Sequence, residues 1–265
     1  YDEAAGRLQF LYEPSEDFSA LINIHARTLD GTARMFRANV FELGSQGLVS
    51  GFDEDVVSYD GSNDQDLDSS GGSLRISKNF GNVTLHTITG YETVDVLSRG
   101  DIDGGYSCAF APCTAPSGPG FIPFTAESAD GLSDHDQLTQ EIRLESRELG
   151  AFDWQAGVYH FDEEITIDSY NYDTVNNSVQ NGYARQDQDN EAWAVFASMD
   201  YEVSDAWTLG AGIRYTDDEK DFTAERTQSP IGGGAIGPID ASTNDEQWSC
   251  AASATWGAND DTHIY

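Results

Sequence analysis

The sequence lacks long apolar runs and has few basic residues. No stretch of its 265 residues approaches the ~18 consecutive apolar residues of a membrane-spanning helix, which excludes a helical membrane protein. Only 13 Lys and Arg stand against 47 Asp and Glu, and the formal net charge is -34. A chain so acidic lacks the basic patches that contact phosphates, so we expect no nucleic-acid partner.

Motifs that carry enzyme chemistry are also missing. We find no G-x-S-x-G elbow, no H-E-x-x-H metal motif and no Walker phosphate loop. The run Asp134-His135-Asp136 is interpreted as part of a solvated loop rather than a metal site. The glycine-rich segment 231–238 precedes a polar run instead of a helix, which predicts an external loop. We therefore expect no enzyme activity, no catalytic residue, no cofactor and no metal.

Cysteine is rare, with three in the chain. Cys108 and Cys113 lie close together in a Gly- and Pro-rich stretch, and we interpret them as a candidate disulfide of an oxidising compartment. Two unrelated thiols are the alternative. Cys250 falls inside a strand pattern and is interpreted as a small apolar residue.

One acidic segment, 53–68, has oxygen-bearing side chains at alternating positions from Asp60 to Asp68. An EF-hand loop needs Gly at its sixth position and Glu at its twelfth, whereas Gln65 and Gly71 occupy those positions. The segment is therefore not an EF-hand. Whether it binds calcium in another way or is a solvated acidic loop stays open.

The dominant pattern is a strict alternation of apolar and polar residues, which predicts β-strands with one apolar face. It is clearest in 193–201, 207–216 and 248–256. About ten strands are predicted, joined alternately by short turns and long polar loops, as in an antiparallel up-and-down barrel of the outer membrane. The long loops are predicted at 30–70, 97–133, 168–188 and 223–244.

Aromatic residues recur at a fixed spacing on the apolar face of the three clearest strands. The pairs, each eight residues apart, are Trp193 and Tyr201, Trp207 and Tyr215, and Trp248 and Trp256. Eight residues at about 3.3 Å each cover roughly 26 Å of strand. At a tilt near 40° this is roughly 20 Å of depth, close to the ~25 Å apolar band between aromatic girdles. We predict that these six residues form a membrane girdle in contact with outer-membrane lipid.

The opposite face of the predicted strands holds a good share of the few basic residues. Its charged members are Arg27, Arg75, Glu141, Arg143, Glu145, Asp200 and Arg214. In a wide barrel this face lines the lumen, so the pattern predicts contact with a plug or a ligand. A solvated wall is the plainer interpretation.

Both ends of the chain lie in or near strand patterns, and no signal-peptide pattern is visible within residues 1–265. We therefore expect residues 1–265 to be a section of a larger barrel. A small closed barrel of ten strands is the alternative. Since only a closed barrel pairs every backbone amide in lipid, a section with two open edges is not expected to insert alone.

Three segments resemble strands of the TonB-dependent outer-membrane receptors. They are 140–146 (QEIRLES), 152–161 (FDWQAGVYHF) and 207–220 (WTLGAGIRYTDDEK), and their order and spacing also match. The resemblance implies a 22-stranded transmembrane barrel with an N-terminal plug in its lumen. The plug and the C-terminal strands are expected to be absent from residues 1–265.

The resemblance also implies a function: an outer-membrane active-transport receptor of a Gram-negative bacterium, energised by a TonB-type inner-membrane complex acting through the plug. A ferric siderophore is favoured as the ligand, although the acidic loops weaken that choice, and cobalamin or an oligosaccharide are alternatives. A passive porin-type channel would share the strand pattern without a plug. A soluble all-β binding module would instead pack Trp193, Val195, Leu209 and Ile213 inward.

Tyrosines in the predicted external loops are candidate ligand contacts, because their rings can stack on a ligand. They are Tyr59, Tyr106, Tyr170, Tyr172 and Tyr183. Their spacing does not identify which of them touch a ligand.

Overall fold

The computed structural model describes residues 1–37, 40–42, 44–57, 59, 61–104, 126–146, 150–173, 178–230, 232–259 and 262–264. None of these segments forms a helix that is long and apolar enough to cross a bilayer. The candidate disulfide of Cys108 and Cys113 lies outside the described residues, as does Tyr106.

Ten strands of the described residues form one antiparallel sheet, and each strand pairs with the next along the chain. The strands are β1 Asp2–Ser15, β2 Phe18–Gly31, β3 Asp64–Asn79, β4 Val83–Asp101, β5 Glu127–Ser146, β6 Phe152–Asp173, β7 Val179–Ser204, β8 Trp207–Gln228, β9 Ile236–Asn259 and β10 Thr262–Ile264. The predicted all-β, up-and-down order is confirmed.

Short and long connections alternate, so the sheet has two different ends. At the lower end, β1–β2 and β7–β8 turn within two residues, and Gly81 carries the β3–β4 turn. Gly81 has φ 90°, in the left-handed region that favours glycine, and its N–H donates to the Asn79 side chain at 2.8 Å. The connections β2–β3, β4–β5, β6–β7 and β8–β9 lie at the other end, which we call the upper end.

The strands run far into the segments predicted as long loops, and those loop boundaries are wrong. Most of 168–188 and 223–244 is strand, with Asp168 paired to Arg185 and Asp187 paired to Thr223. Where a strand leaves the membrane, neither of its faces must be apolar. The alternation of apolar and polar residues therefore ends, while the backbone pairing of the strands continues.

The acidic segment 53–68, for which calcium binding was left open, is also partly strand. Asp64, Asp66 and Asp68 alternate on one face of β3 and are exposed. Alternate residues of a strand lie about 6.7 Å apart, whereas calcium ligands must all approach to about 2.3–2.6 Å. In the described part of the chain, no three His, Cys, Asp or Glu side chains converge as a metal site.

The two faces of the sheet differ in chemistry and in exposure. On β7, Trp193 and Val195 are 43% and 42% exposed, whereas Ala194 between them is 1% exposed. The neighbouring strands show the same two faces, because Val158 of β6 pairs with Val195 and Val195 pairs with Tyr215 of β8. We call the two surfaces the apolar face and the polar face. The large residues of the apolar face are exposed, contrary to the inward packing that a soluble module requires.

Candidate inner wall and membrane-facing surface

All six predicted girdle residues lie on the apolar face, in two rows. The upper row is Trp193, Tyr215 and Trp248, and the lower row is Tyr201, Trp207 and Trp256. Ring centroids in the upper row are 5.3 and 5.0 Å apart, and the two lower tryptophans stack at 6.2 Å. Between the rows lie small and apolar pairs such as Ala211 with Ala252. Two aromatic rows bounding an exposed apolar band are typical of a barrel surface in lipid.

All seven charged residues predicted for the lumen lie on the polar face. Arg143 and Arg214 share one cross-strand line, on which Gly157 and Phe196 lie between them. Arg27 lies apart from this group, near the upper end of β2, where its Nε donates to Glu3 Oε1 at 2.8 Å. The structure therefore brings most of the predicted wall together and leaves Arg27 outside it.

Most charges of this wall are already paired. Arg143 Nη1 lies 3.3 Å from Glu141 Oε1, and His86 Nε2 lies 3.4 Å from Glu145 Oε2. Such partly exposed pairs contribute about 0–1 kcal/mol each. Arg75 is exposed, and no carboxylate of the described residues lies within 4 Å of its guanidinium. Arg75 is therefore an exposed wall cation that is free to meet an incoming group. Arg214 and Asp200 likewise form no ion pair among the described residues, but Arg214 is partly buried and lies over the Tyr159 ring.

On the polar face, side chains of alternate strands meet across the strand between them. His25 of β2 and Glu92 of β4 are 2.9 Å apart, although β3 lies between them. The intervening residue is Gly71, where a Cβ would lie 2.1 Å from the Glu92 carboxylate. Because Gly71 has no side chain, His25 and Glu92 have room to make this contact.

Sequence reasoning missed a buried carboxylate cluster at the upper end of β4 and β5. Its members, each 1% exposed, are Asp101, Asp103 and Glu127. Glu127 Oε1 accepts from Arg99 at 2.6 Å and from the Ser62 N–H at 3.0 Å, and Asp101 accepts from the Gly61 N–H at 3.1 Å. The cluster fastens the β2–β3 connection to the sheet. In a chain this acidic, composition gives no signal that separates these carboxylates from the solvated ones.

Comparison with known proteins identifies the family. The family described as TonB dependent receptor-like, beta-barrel matches residues 16–265. The chain belongs to the TonB-dependent receptor family. This match agrees with the resemblance of the three strand segments, and it makes the sheet a part of a TonB-dependent receptor barrel. Members of this family are transport proteins and not enzymes.

Solved structures support the same fold for this TonB-dependent receptor chain. The ferric yersiniabactin uptake receptor FyuA from Yersinia pestis matches with TM-score 0.71 and 13% identity, and the ferric-catecholate import receptor Fiu from E. coli K12 with 0.65 and 13%. The copper transporter OprC matches with 0.59 and 14%. Each match covers 97% of this chain but only 35%, 41% and 34% of the other chain, respectively. No curated protein matches in sequence. At such identities these structures establish the fold alone.

Proposed function

We propose that this chain forms part of the barrel wall of an outer-membrane receptor that imports a scarce small ligand into a Gram-negative bacterium. The observation that carries the proposal is an exposed apolar face bounded by two aromatic rows, in a chain of the TonB-dependent receptor family. Such a sheet suits lipid on one face and an aqueous lumen on the other. In the whole receptor, a plug domain outside residues 1–265 would fill the lumen and receive the pull of a TonB-type complex.

The charged polar face supports a role in holding that plug or the ligand. Arg75 is unpaired within the described chain, while Arg143 and Arg214 share one cross-strand line. In a lumen filled by a plug these guanidinium groups would pair with carboxylates of the plug, or with an anionic ligand, through charge-assisted hydrogen bonds. The lumen-facing set is thus proposed as a docking wall whose strongest contact is Arg75.

A ferric siderophore is the proposed ligand. Support comes from the fold shared with FyuA and Fiu, which are receptors for ferric yersiniabactin and ferric catecholate, respectively. OprC shares the same fold and is named a copper transporter, so the fold alone does not select the ligand. The excess of 47 Asp and Glu over 13 Lys and Arg favours a neutral or cationic ferric complex over a strongly anionic one.

Gene deletion in the source bacterium tests the function. Iron-limited cells would be supplied with single ferric siderophores of hydroxamate, catecholate and carboxylate type, and uptake of labelled iron would be followed. We expect loss of uptake for one type, and the same loss when the proton gradient is collapsed. Entry that survives collapse of the gradient would identify a passive channel. Unchanged iron uptake with lost copper uptake would reject the siderophore.

Two charge variants of the full-length receptor test the wall. Arg75→Gln removes a positive charge from the polar face of β3, and Lys78→Gln removes one from the other face of the same strand. We expect Arg75→Gln to raise the apparent KM for uptake several-fold, and Lys78→Gln to leave it unchanged. Equal effects of the two variants would argue against a docking wall.

A further inference from the structure

Three tyrosines gather at the upper ends of β6 and β7. Tyr170 faces Tyr183 across the strand pair, with ring centroids 5.4 Å apart, and it stacks on Tyr172 at 6.5 Å with an interplanar angle of 27°. The guanidinium carbon of Arg99 lies 3.7 Å from the centroid of Tyr172. All four side chains are partly exposed. We call this continuous surface the tyrosine platform.

The tyrosine platform lies on the apolar-face side of the sheet. Pairing of β7 with β6 is regular from Trp193 to Tyr183, so alternation puts both residues on the same face. Those ten positions cover roughly 33 Å along the strand, or about 25 Å of height at a tilt near 40°. The platform therefore points away from the lumen, well above the upper aromatic row. Ligand contact by the external tyrosines stays a prediction.

Hydrogen bonds and an ion pair hold two members of the platform, Tyr183 and Arg99, in place. The Tyr183 hydroxyl donates to Asp168 Oδ1 at 2.5 Å, and the Ser133 hydroxyl donates to Asp168 Oδ2 at 2.6 Å. The bond to Asp168 and burial raise the pKa of the Tyr183 phenol, so that it stays a donor. Arg99 is held by Glu127. A surface fixed in advance loses little side-chain entropy when it binds.

Polar groups border the rings. Arg185 Nε donates to Asp187 Oδ1 at 3.0 Å, and these side chains are 43% and 41% exposed. Flat aromatic surfaces stack on the C–H faces of pyranose rings, while guanidinium and carboxylate groups bind their hydroxyls. A tyrosine surface with such a rim has the chemistry that recognises carbohydrate.

We propose that the tyrosine platform binds the carbohydrate chain of the glycolipids that surround the receptor, namely the core oligosaccharide of outer-leaflet lipopolysaccharide. The proposal rests on the outer-membrane location proposed above, because the saccharide layer lies directly above the headgroups of that leaflet. It does not depend on which ligand is imported. The contact would anchor the upper part of β6 and β7 to the cell surface.

Binding of free oligosaccharide to the full-length receptor tests the proposal. The probe is core oligosaccharide released from lipid A by mild acid, titrated into receptor in detergent and followed by saturation-transfer NMR. We expect Tyr170→Ala to weaken binding about tenfold, because stacking on that ring is lost. Tyr170→Phe is the matched control, and it should bind like the wild type because the ring remains.

Each outcome of this titration either supports or refutes the carbohydrate site. If the wild type binds no oligosaccharide, or if Tyr170→Ala binds as tightly as Tyr170→Phe, the platform is not a carbohydrate site. Correct folding is checked by heat-modifiable migration on gels. Should Tyr170→Ala fail this check, Tyr172→Leu removes the adjacent ring and carries the same expectation. Uptake is measured separately, so a receptor that binds oligosaccharide but imports nothing would refute only the proposed transport.

Discussion

The guanidinium of Arg214 lies over the ring of Tyr159, 5.6 Å from its centroid, although β7 separates their strands. The two side chains close over Ala194, which is directly paired with Tyr159 and is 1% exposed. Only a small residue leaves room for this contact. Together with the pair of His25 and Glu92 across β3, it makes the polar face the one on which side chains converge. This is the face expected to line the lumen of a barrel, with the apolar face toward lipid.

Adjacent alanines of β9 allow a test of the two faces. Ala252 pairs with Ala211 in the middle of the apolar band, whereas Ala251 pairs with Gly212 on the polar face. A lysine on a lipid face near mid-membrane costs about 2–4 kcal/mol, so we expect Ala252→Lys to destabilise the full-length receptor and Ala251→Lys to be tolerated. Urea unfolding of receptor refolded into lipid vesicles measures the difference. A larger loss with Ala251→Lys would reverse the assignment of the faces.

Cys250 offers an independent chemical test of the same surface. It is exposed on the apolar face opposite Ile213, so lipid should cover it in the membrane. We expect a membrane-impermeant maleimide to leave Cys250 unlabelled in whole cells, while a lipid-soluble maleimide reacts. The double variant Cys250→Ala/Ser249→Cys moves the thiol to the polar face, where the impermeant reagent should react. Labelling is read by a gel shift, with Cys250→Ala alone as the blank. Equal labelling at both positions would contradict a lipid-covered face.

Some strands could be predicted from the sequence and others could not, and their surroundings explain the difference. Segments 193–201 and 207–216 alternate strictly because one face must be apolar, and these strands were identified correctly. The upper parts of β6 and β7 lie above the aromatic rows, where neither face must be apolar, so their sequences do not alternate and predict loops instead of strands. Glu127 differs from other carboxylates only by burial and by its bond to Ser62, 65 residues away. Such long-range contacts leave no local pattern in the chain.

Gly157 is expected to be intolerant of a side chain. A Cβ at this position would lie 2.6 Å from Phe196 Cζ and 2.8 Å from the Ile142 carbonyl oxygen, and the carbonyl belongs to the rigid backbone of β5. We expect Gly157→Ala to destabilise the receptor by about 1–3 kcal/mol, as overpacking does. Gly212→Ala is the matched control, because its nearest contact would be an ordinary 3.5 Å. The measurement is again unfolding by urea in vesicles, and equal stability of both variants would refute the close approach.

Glu127 should hold the upper connection without contributing to membrane insertion. The side chain is fully buried and accepts from Arg99 and from the Ser62 N–H, so Glu127→Ala would leave both donors without this acceptor. Breaking a buried pair costs about 3–5 kcal/mol, and here the loss would fall on the connection between β2 and β3. We expect faster proteolytic cleavage within 32–63 in whole cells, with an unchanged amount of folded receptor in the membrane.

Two further variants serve as controls, one for the charge of Glu127 and one for the loss of an exposed carboxylate. Glu127→Gln keeps an oxygen for the Ser62 N–H and loses the ion pair, so its cleavage rate should fall between those of wild type and Glu127→Ala. Asp187→Ala removes a carboxylate whose pair with Arg185 is 3.0 Å long but partly exposed, and such pairs contribute about 0–1 kcal/mol. Its cleavage rate should therefore equal that of the wild type. If Glu127→Ala were cleaved no faster than Asp187→Ala, the buried carboxylate would not be what fastens the connection.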